Sequence, residues 1–242
     1  MDEKALQGFL RAAGTAYQAR FTRFLDPNEA REVETAAKAL QLPVVLWGGY
    51  PYAERCIAAV GGDGDQQTDT FPLSALESSF ESRFGSITHR DVLGAFMGLG
   101  LTRDCIGDII IKDSFVYLFV VNSMEKFVME SLTSAGKMKL SFHRLEDPLR
   151  IPPPEGTFFR GTVSSLRLDA LLAEGFRLSR SEAAELVRAG RVKVNHVPVM
   201  RTDAQLEAGA LLSAAGLGRV QLRSVDGMTK KQRIGVTFFK YQ

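Results

Sequence analysis

The chain has 242 residues, 45% of them apolar and 24% charged, which suits one large globular domain or two to three small ones. No apolar run reaches the ~18 residues that a membrane span needs. The opening Met1-Asp2-Glu3-Lys4 lacks a basic stretch leading into an apolar one, so no secretory signal is expected and the expected location is the cytoplasm.

Two cysteines, Cys56 and Cys105, and three histidines, His89, His143 and His196, lie scattered. That argues against a disulfide framework and against a bound metal, because metal ligands come in clusters. The net charge of +2 conceals an asymmetry. Residues 1–156 hold 16 basic and 21 acidic side chains, whereas residues 157–242 hold 14 and 7. A compact basic end on an acidic chain points to a polyanionic partner for that end.

In chain order, Asp26-Pro27 opens a helix, with Asp26 as cap and Pro27 at its first position. Residues 44–47 and 56–60 read as short buried strands, the first closed by Gly48-Gly49. A strand over 71–80 follows. Thr88-x-x-Asp91 is a capping box for a helix that carries Val92, Leu93, Phe96 and Met97. Residues 106–112 and 115–121 are strand-like around a tight Asp113-Ser114 connection. A helix begins near Ser123, and 139–145 closes as a strand. This order, β-α-β-β-α-β, is the ferredoxin-like (RRM-like) pattern.

Pro152-Pro153-Pro154-Glu155-Gly156 interrupts both kinds of element and coincides with the change in charge. The expected fold class is α+β. Its parts are a small α/β domain over 1–70, a ferredoxin-like domain over 71–150, a proline-rich linker and lead-in strand over 151–164, and a basic domain over 165–242.

The basic domain is the most informative. Leu168, Leu171 and Leu172 form an apolar stripe on a short helix, which Gly175 is expected to end. Ser179 and Glu182 make a capping box for a second helix that buries Ala183, Leu186 and Val187. Gly190 ends it. Arg191-Val192-Lys193-Val194-Asn195 then alternates, putting Arg191, Lys193 and Asn195 on one strand face and the valines on the other. Arg177 and Arg180 flank the helix start, where free amides suit a phosphate. Arginine's planar fork matches phosphate oxygens.

Arg167-Leu168-Asp169, Ser179-Arg180-Ser181-Glu182-Ala183, Gly190-Arg191-Val192-Lys193-Val194-Asn195 and Gly218-Arg219 together resemble the S-four (alpha-L) RNA-binding domain. The resemblance implies that Arg167, Ser179, Arg180, Lys193 and Arg219 lie on or near an RNA face. With the neighbouring polar and basic residues, the expected RNA-binding set is Arg167, Arg177, Ser179, Arg180, Ser181, Arg188, Arg191, Lys193, Asn195 and Arg219. Arg201, Lys230 and Lys231 read as surface charges of less certain use. Two departures fall in turns: His196 stands where the family has glycine, and Gly209-Ala210 where it has Gly-Asp.

Further upstream, Trp47-Gly48-Gly49-Tyr50, Ala53-Glu54-Arg55, Thr88-His89-Arg90-Asp91, Leu93-Gly94, Leu99-Gly100-Leu101 and Ile106-Gly107-Asp108-Ile109 resemble the YlmH family of bacterial proteins. That resemblance implies a role in ribosome-associated quality control, which involves the large ribosomal subunit carrying peptidyl-tRNA, and the expected protein is a non-catalytic, monomeric, cofactor-free one that binds ribosomal RNA there. Transfer RNA and cell-division proteins are further partners it implies.

Other readings stay open. Arg167-Leu168-Asp169 is similar to the catalytic tripeptide of pseudouridine synthases, but too little chain follows it for that catalytic domain, so Asp169 is expected to position its neighbours. An RNA-modifying site within 1–150 would draw on His89, Arg90 and Asp91. The chain could also be a cell-division interaction protein. Phe115, Tyr117 and Phe119 alternate as a base-stacking strand would, yet Val116, Leu118 and Val120 on the other face favour a core strand. Asp63-Gly64-Asp65 with Asp69 lacks the closing glutamate of a calcium loop.

Overall fold

The computed structural model describes residues 2–241 apart from 82, 84, 152 and 231. They divide into two compact units, Met1–Pro152 and Pro153–Gln242. Pro152 and Lys231 therefore lie outside the described residues.

The first unit opens with helix α1 (Glu3–Gly14), capped by the Asp2 carboxylate, which accepts the Ala5 N–H. Strand β1 (Arg20–Phe21) precedes α2 (Pro27–Ala39), where Asp26 and Glu29 form a full capping box and Pro27 holds the first turn. Strands β2 (Val44–Trp47) and β3 (Ile57–Val60) complete an antiparallel sheet in the order β1-β3-β2. Alternation along β3 serves two cores. Ala58 and Val60 pack with Leu10, Val33 and Ala37 of the helices, while Ile57 and Ala59 face the larger core of the unit.

That larger core lies on a second sheet, built from β4 (Leu73–Ser79), α3 (His89–Gly98), β5 (Ile106–Lys112), β6 (Phe115–Val121) and α4 (Glu125–Ser131), with a hairpin of β7 (Ser134–Ala135) and β8 (Met138–Lys139) before β9 (His143–Arg144). The strand order is β5-β6-β4-β9, every pair antiparallel. β6 is thus inserted between the two strands that flank α3, as a split βαβ requires. Asp113 and Ser114, both at positive φ, make the two-residue turn between β5 and β6.

The strand expected over 139–145 is corrected. Only His143 and Arg144 pair with β4, and Met138–Lys139 folds back on β7. At Ser141 the N–H donates to the Ser78 side-chain hydroxyl of β4 instead of to a backbone carbonyl of the ladder. Leu140, Phe142 and Leu145 still enter the core. On β6 the even residues Val116, Leu118 and Val120 are fully buried, and so is Phe119 on the other face, where it stacks on Tyr50 at 4.9 Å. Gly49, at φ +99, admits the Phe119 ring where a Cβ would otherwise stand. Phe115 is 37% exposed at the strand's open end. The aromatic strand is a core strand.

The second unit is one antiparallel sheet of six strands under two helices. β10 (Gly156–Val163), the lead-in strand, pairs along its whole length with the last strand. After it come α5 (Leu168–Phe176), α6 (Arg180–Arg188), β11 (Val192–Val194), β12 (Val197–Pro198), β13 (Leu211–Ala214), β14 (Gly218–Met228) and β15 (Ile234–Tyr241). The sheet order is β10-β15-β14-β13-β11-β12. Leu168, Leu171, Leu172, Ala183 and Val187 of the helices meet Val192, Leu212, Val220, Leu222, Val236 and Phe238 of one sheet face. All these residues are fully buried, so this core is continuous.

Gly175 does not end α5, contrary to expectation. It lies inside the helix, where a Cβ would stand 3.2 Å from Val220, and so lets the helix sit close on β14. The end comes at Arg177, in the left-handed conformation (φ 56°, ψ 47°) usually taken by glycine.

Candidate nucleic-acid interface

The starts of α5 and α6 converge on one carboxylate. Ser179 caps α6: its hydroxyl accepts the Glu182 N–H, and the Glu182 carboxylate accepts the Ser179 N–H at 2.7 Å. The Ser179 hydroxyl and then the Ser179 N–H, both bonding to the Glu182 carboxylate, hold it below its usual range. Ser181 places its hydroxyl 3.0 Å from that of Ser179. Arg180, the first helical residue, donates to Asp169 at 2.8 Å. Arg167, the cap residue of α5, donates to both oxygens of the same carboxylate at 3.3 Å.

Asp169 is only 7% exposed, while the Arg167 and Arg180 side chains are 39% and 48% exposed. Burial alone would raise the Asp169 pKa. The hydrogen bonds and charges of the two arginines outweigh it and hold the carboxyl below its ordinary value. The carboxylate thus anchors two guanidinium groups from beneath, and each has five donors to share. Arg180 uses one more toward the Ser164 hydroxyl at 3.3 Å.

Beside this pair lies a cleft of about 450 Å³ lined by Ser164, Glu174, Arg177, Arg180 and Arg233 among others. Arg233 reaches it from the β14–β15 connection, donating to the hydroxyl and carbonyl of Thr162 on β10. Arg177, Ser179, Arg180 and Ser181 are therefore brought together at the junction of α5 and α6, and Arg167, at the opposite end of α5, is joined to them through Asp169. Nothing local in the sequence marks Arg233, because its partner lies 71 residues away.

The other expected residues do not share that place. Arg188 is exposed at the last turn of α6, eight residues and about 12 Å along the axis from Arg180. Arg191 donates to the Ala215 carbonyl at 3.2 Å. Asn195 does not point out beside Lys193. It sits at φ 47° in a two-residue turn with His196 at φ 70°, and its side-chain oxygen accepts the Leu211 N–H at 2.7 Å. Turn chemistry overrides strand alternation there. Lys193 faces away from the helices, since its neighbours Val192 and Val194 are buried under them. In register with it across β13 is Arg219, whose guanidinium lies 4.9 Å over the Tyr241 ring. Arg201 pairs with Asp203 at 3.4 Å, and Lys230 is exposed.

In the first unit, the residues that carried the wider resemblance also meet. Asp108 on β5 accepts from the Tyr50 hydroxyl (2.9 Å), the Glu54 N–H (2.7 Å) and the Arg55 N–H (3.1 Å). Arg55 and Arg103 both donate to the Ile106 carbonyl. Burial lowers Arg103 to about 10 and raises Asp108. At the start of α3, Asp91 is engaged in the cap with Thr88, and His89 and Arg90 are exposed. His89 is held below its usual pKa by partial burial and by Arg103.

The chain matches three family descriptions in sequence: "YlmH, N-terminal" over 8–64, "Putative RNA-binding domain in YlmH" over 66–147 and "S4 domain" over 166–212. It is 36% identical over 225 residues to the "Ribosome-associated protein quality control protein P2" of Bacillus subtilis, covering 92% of this chain and 87% of that protein. In fold it is similar to a solved structure titled "Cell division protein ylmH from Streptococcus pneumoniae". The TM-score is 0.51 at 19% identity, over 59% of this chain and 87% of that one.

Proposed function

The chain belongs to the YlmH family, and on that ground and the geometry of its second unit we propose that it is a non-catalytic factor that binds structured ribosomal RNA. The observation that carries this reading is the arginine pair anchored by buried Asp169 at the start of α6, beside Arg177 and Arg233. Arg177 and Arg180 stand at the start of α6, where the backbone amides also favour phosphate, Arg167 joins Arg180 on Asp169, and Arg233 lines the adjoining cleft. They belong to residues 157–242, which hold 14 basic and 7 acidic side chains.

Arginines fixed before the ligand arrives lose little freedom on binding, and the fork of each suits two phosphate oxygens. An RNA helix is recognised by the shape of its backbone more than by its bases. With four phosphate contacts, doubling the salt concentration weakens binding by about tenfold. Asp169 serves as the scaffold of this surface: its two oxygens are engaged by arginines and it is shut from solvent, which favours a binding role over a catalytic one. By its kinship with a ribosome-associated quality control protein, the target is the large ribosomal subunit carrying peptidyl-tRNA, with the transfer RNA as a second contact. A cytoplasmic monomer suits that task.

Co-sedimentation with separated ribosomal particles tests this. The wild type should travel with the large subunit at low salt, and Arg177→Ala/Arg180→Ala should remain at the top of the gradient while keeping the wild-type circular dichroism. A wild type that travels with no particle at low salt would overturn the ribosomal reading.

A further inference from the structure

The sheet of the second unit has a second face, turned away from α5 and α6. The register assigns its residues. Val220, Leu222, Val236 and Phe238 point to the helices, so Arg219, Gln221, Phe239 and Tyr241 point the other way. Phe158, opposite Phe239, joins them from β10, and Arg160 lies opposite Thr237. Lys193 extends the face through Ser213 to the far strands.

This face is organised around aromatic rings. Phe158 lies 4.9 Å from Phe239, which lies 5.0 Å from Tyr241. Phe239 is buried beneath its neighbours, its ring seated where Gly156 has no Cβ, but Phe158 is 64% exposed. The strand β14 shifts register between Leu222 and Ser224, so Arg223 is the extra residue of a bulge. Bulges re-aim side chains, and here the Arg223 guanidinium lies 5.2 Å over Phe239 and 6.0 Å over Phe158. The charges facing this surface are Lys193, Arg160, Arg219 and Arg223, with Asp226 at one end, where it accepts from Ser224 and Thr237. Arg223 and Arg160 thus flank the open ring, Arg219 lies over the neighbouring Tyr241, and Lys193 continues the positive face on β11, four strands from β10, with one carboxylate nearby.

A single exposed ring is ordinary on a soluble surface, but Phe158 is set in a ladder, against the Phe239 ring on one side and within 6.0 Å of the Arg223 guanidinium. A protein partner with an acidic face could use the cations but would leave the ring-and-guanidinium ladder unexplained. Unpaired nucleotides use both: a base stacks on a ring or a guanidinium plane while its phosphates meet the arginines. We propose that this outer sheet face binds unpaired nucleotides of RNA, with one base stacked on Phe158 and its flanking phosphates held by Arg223 and Arg160. It is a surface separate from the arginine cluster at α6, and it rests on the reading of the chain as an RNA-binding protein.

The test uses the full chain, with fluorescence anisotropy on two labelled RNAs: a 12-nucleotide oligouridine and a blunt hairpin closed by a tight tetraloop. Phe158→Ala/Arg223→Ala should bind oligouridine about tenfold more weakly, the loss of one stacked base, and bind the hairpin as the wild type does. Phe158→Tyr should keep oligouridine binding. Arg177→Ala/Arg180→Ala should show the opposite selectivity. Because both altered side chains are exposed, an unchanged thermal melt is expected and identifies a folded variant. Equal oligouridine affinity in the wild type and Phe158→Ala/Arg223→Ala overturns the proposal and leaves the α6 reading intact. So does loss of an acidic protein partner from the variant with RNA binding unchanged. A wild type that binds neither RNA overturns both.

Discussion

Asp169 shows how one buried charge shapes a surface. Its folded pKa is depressed, so the stabilisation it supplies is complete above the unfolded value near 3.9 and is lost as the pH falls through the lower folded value. Asp169→Asn keeps one acceptor but turns an amide toward an arginine donor. The variant should be less stable by about 2 kcal/mol at pH 7, the usual worth of hydrogen bonds to a charged group. Urea unfolding across pH should show the gap to wild type closing below about pH 4. A gap that stays constant to pH 2 would mean that charge is not what Asp169 contributes. Part of this site is legible in the sequence. Ser179 and Glu182 sit at capping-box spacing, and Arg167 is two residues from Asp169, so local geometry dictates both contacts. The reach of Arg180 to Asp169 spans 11 residues and depends on how two helices pack, and that of Arg233 to Thr162 spans 71. Neither leaves a periodic trace.

Elements were legible where the chain's own chemistry ends them. Asp26, Thr88 and Ser179 each start a helix by a capping box, and the positive-φ pair Asp113-Ser114 closes a hairpin. Sequence pattern and structure part where a tertiary contact decides the boundary. Gly175 has the look of a helix terminator, but β14 needs it as a gap for Val220. The strand expected over 139–145 is cut short where the Ser78 side chain takes the Ser141 N–H. Asn195 leaves its strand one residue early because the turn holds it. The end of α5 yields a prediction. A left-handed arginine costs about 1 kcal/mol relative to glycine, and Arg177 holds that strained position at the rim of the arginine cleft. Strain kept at a surface site points to use. Arg177→Gly should therefore raise the melting temperature while weakening hairpin-RNA binding severalfold. A variant that gains stability and loses no affinity would remove Arg177 from the interface.

At the scale of the whole molecule, the strongest signal was the least specific: charge. The proline run separates residues 1–156, with 16 basic and 21 acidic side chains, from residues 157–242, with 14 and 7, and the compact units divide within that run. Strand order in the first unit followed from the β-α-β-β-α-β succession, since few topologies satisfy it. What succession could not supply was the two-sided role of the sheet in the second unit, because β14 and β15 read only as basic, aromatic-spotted strands until register sorts their side chains. The buried core of that unit is drawn from Val163 to Phe238, with Phe159 packed against it, so a fragment beginning at Pro153 should fold by itself and melt cooperatively. The first unit's surplus of acidic residues adds no long-range attraction for a phosphate backbone. The fragment should accordingly bind hairpin RNA within about threefold of the full chain, with the same slope of log affinity against log salt, because the slope counts the phosphates neutralised. A fragment that folds but loses more than about tenfold, with a shallower slope, would place further phosphate contacts in residues 66–147, the segment that matches the YlmH RNA-binding description. Equal slopes with a large loss would instead point to uncharged contacts in the first unit, such as a ring or an amide meeting the RNA.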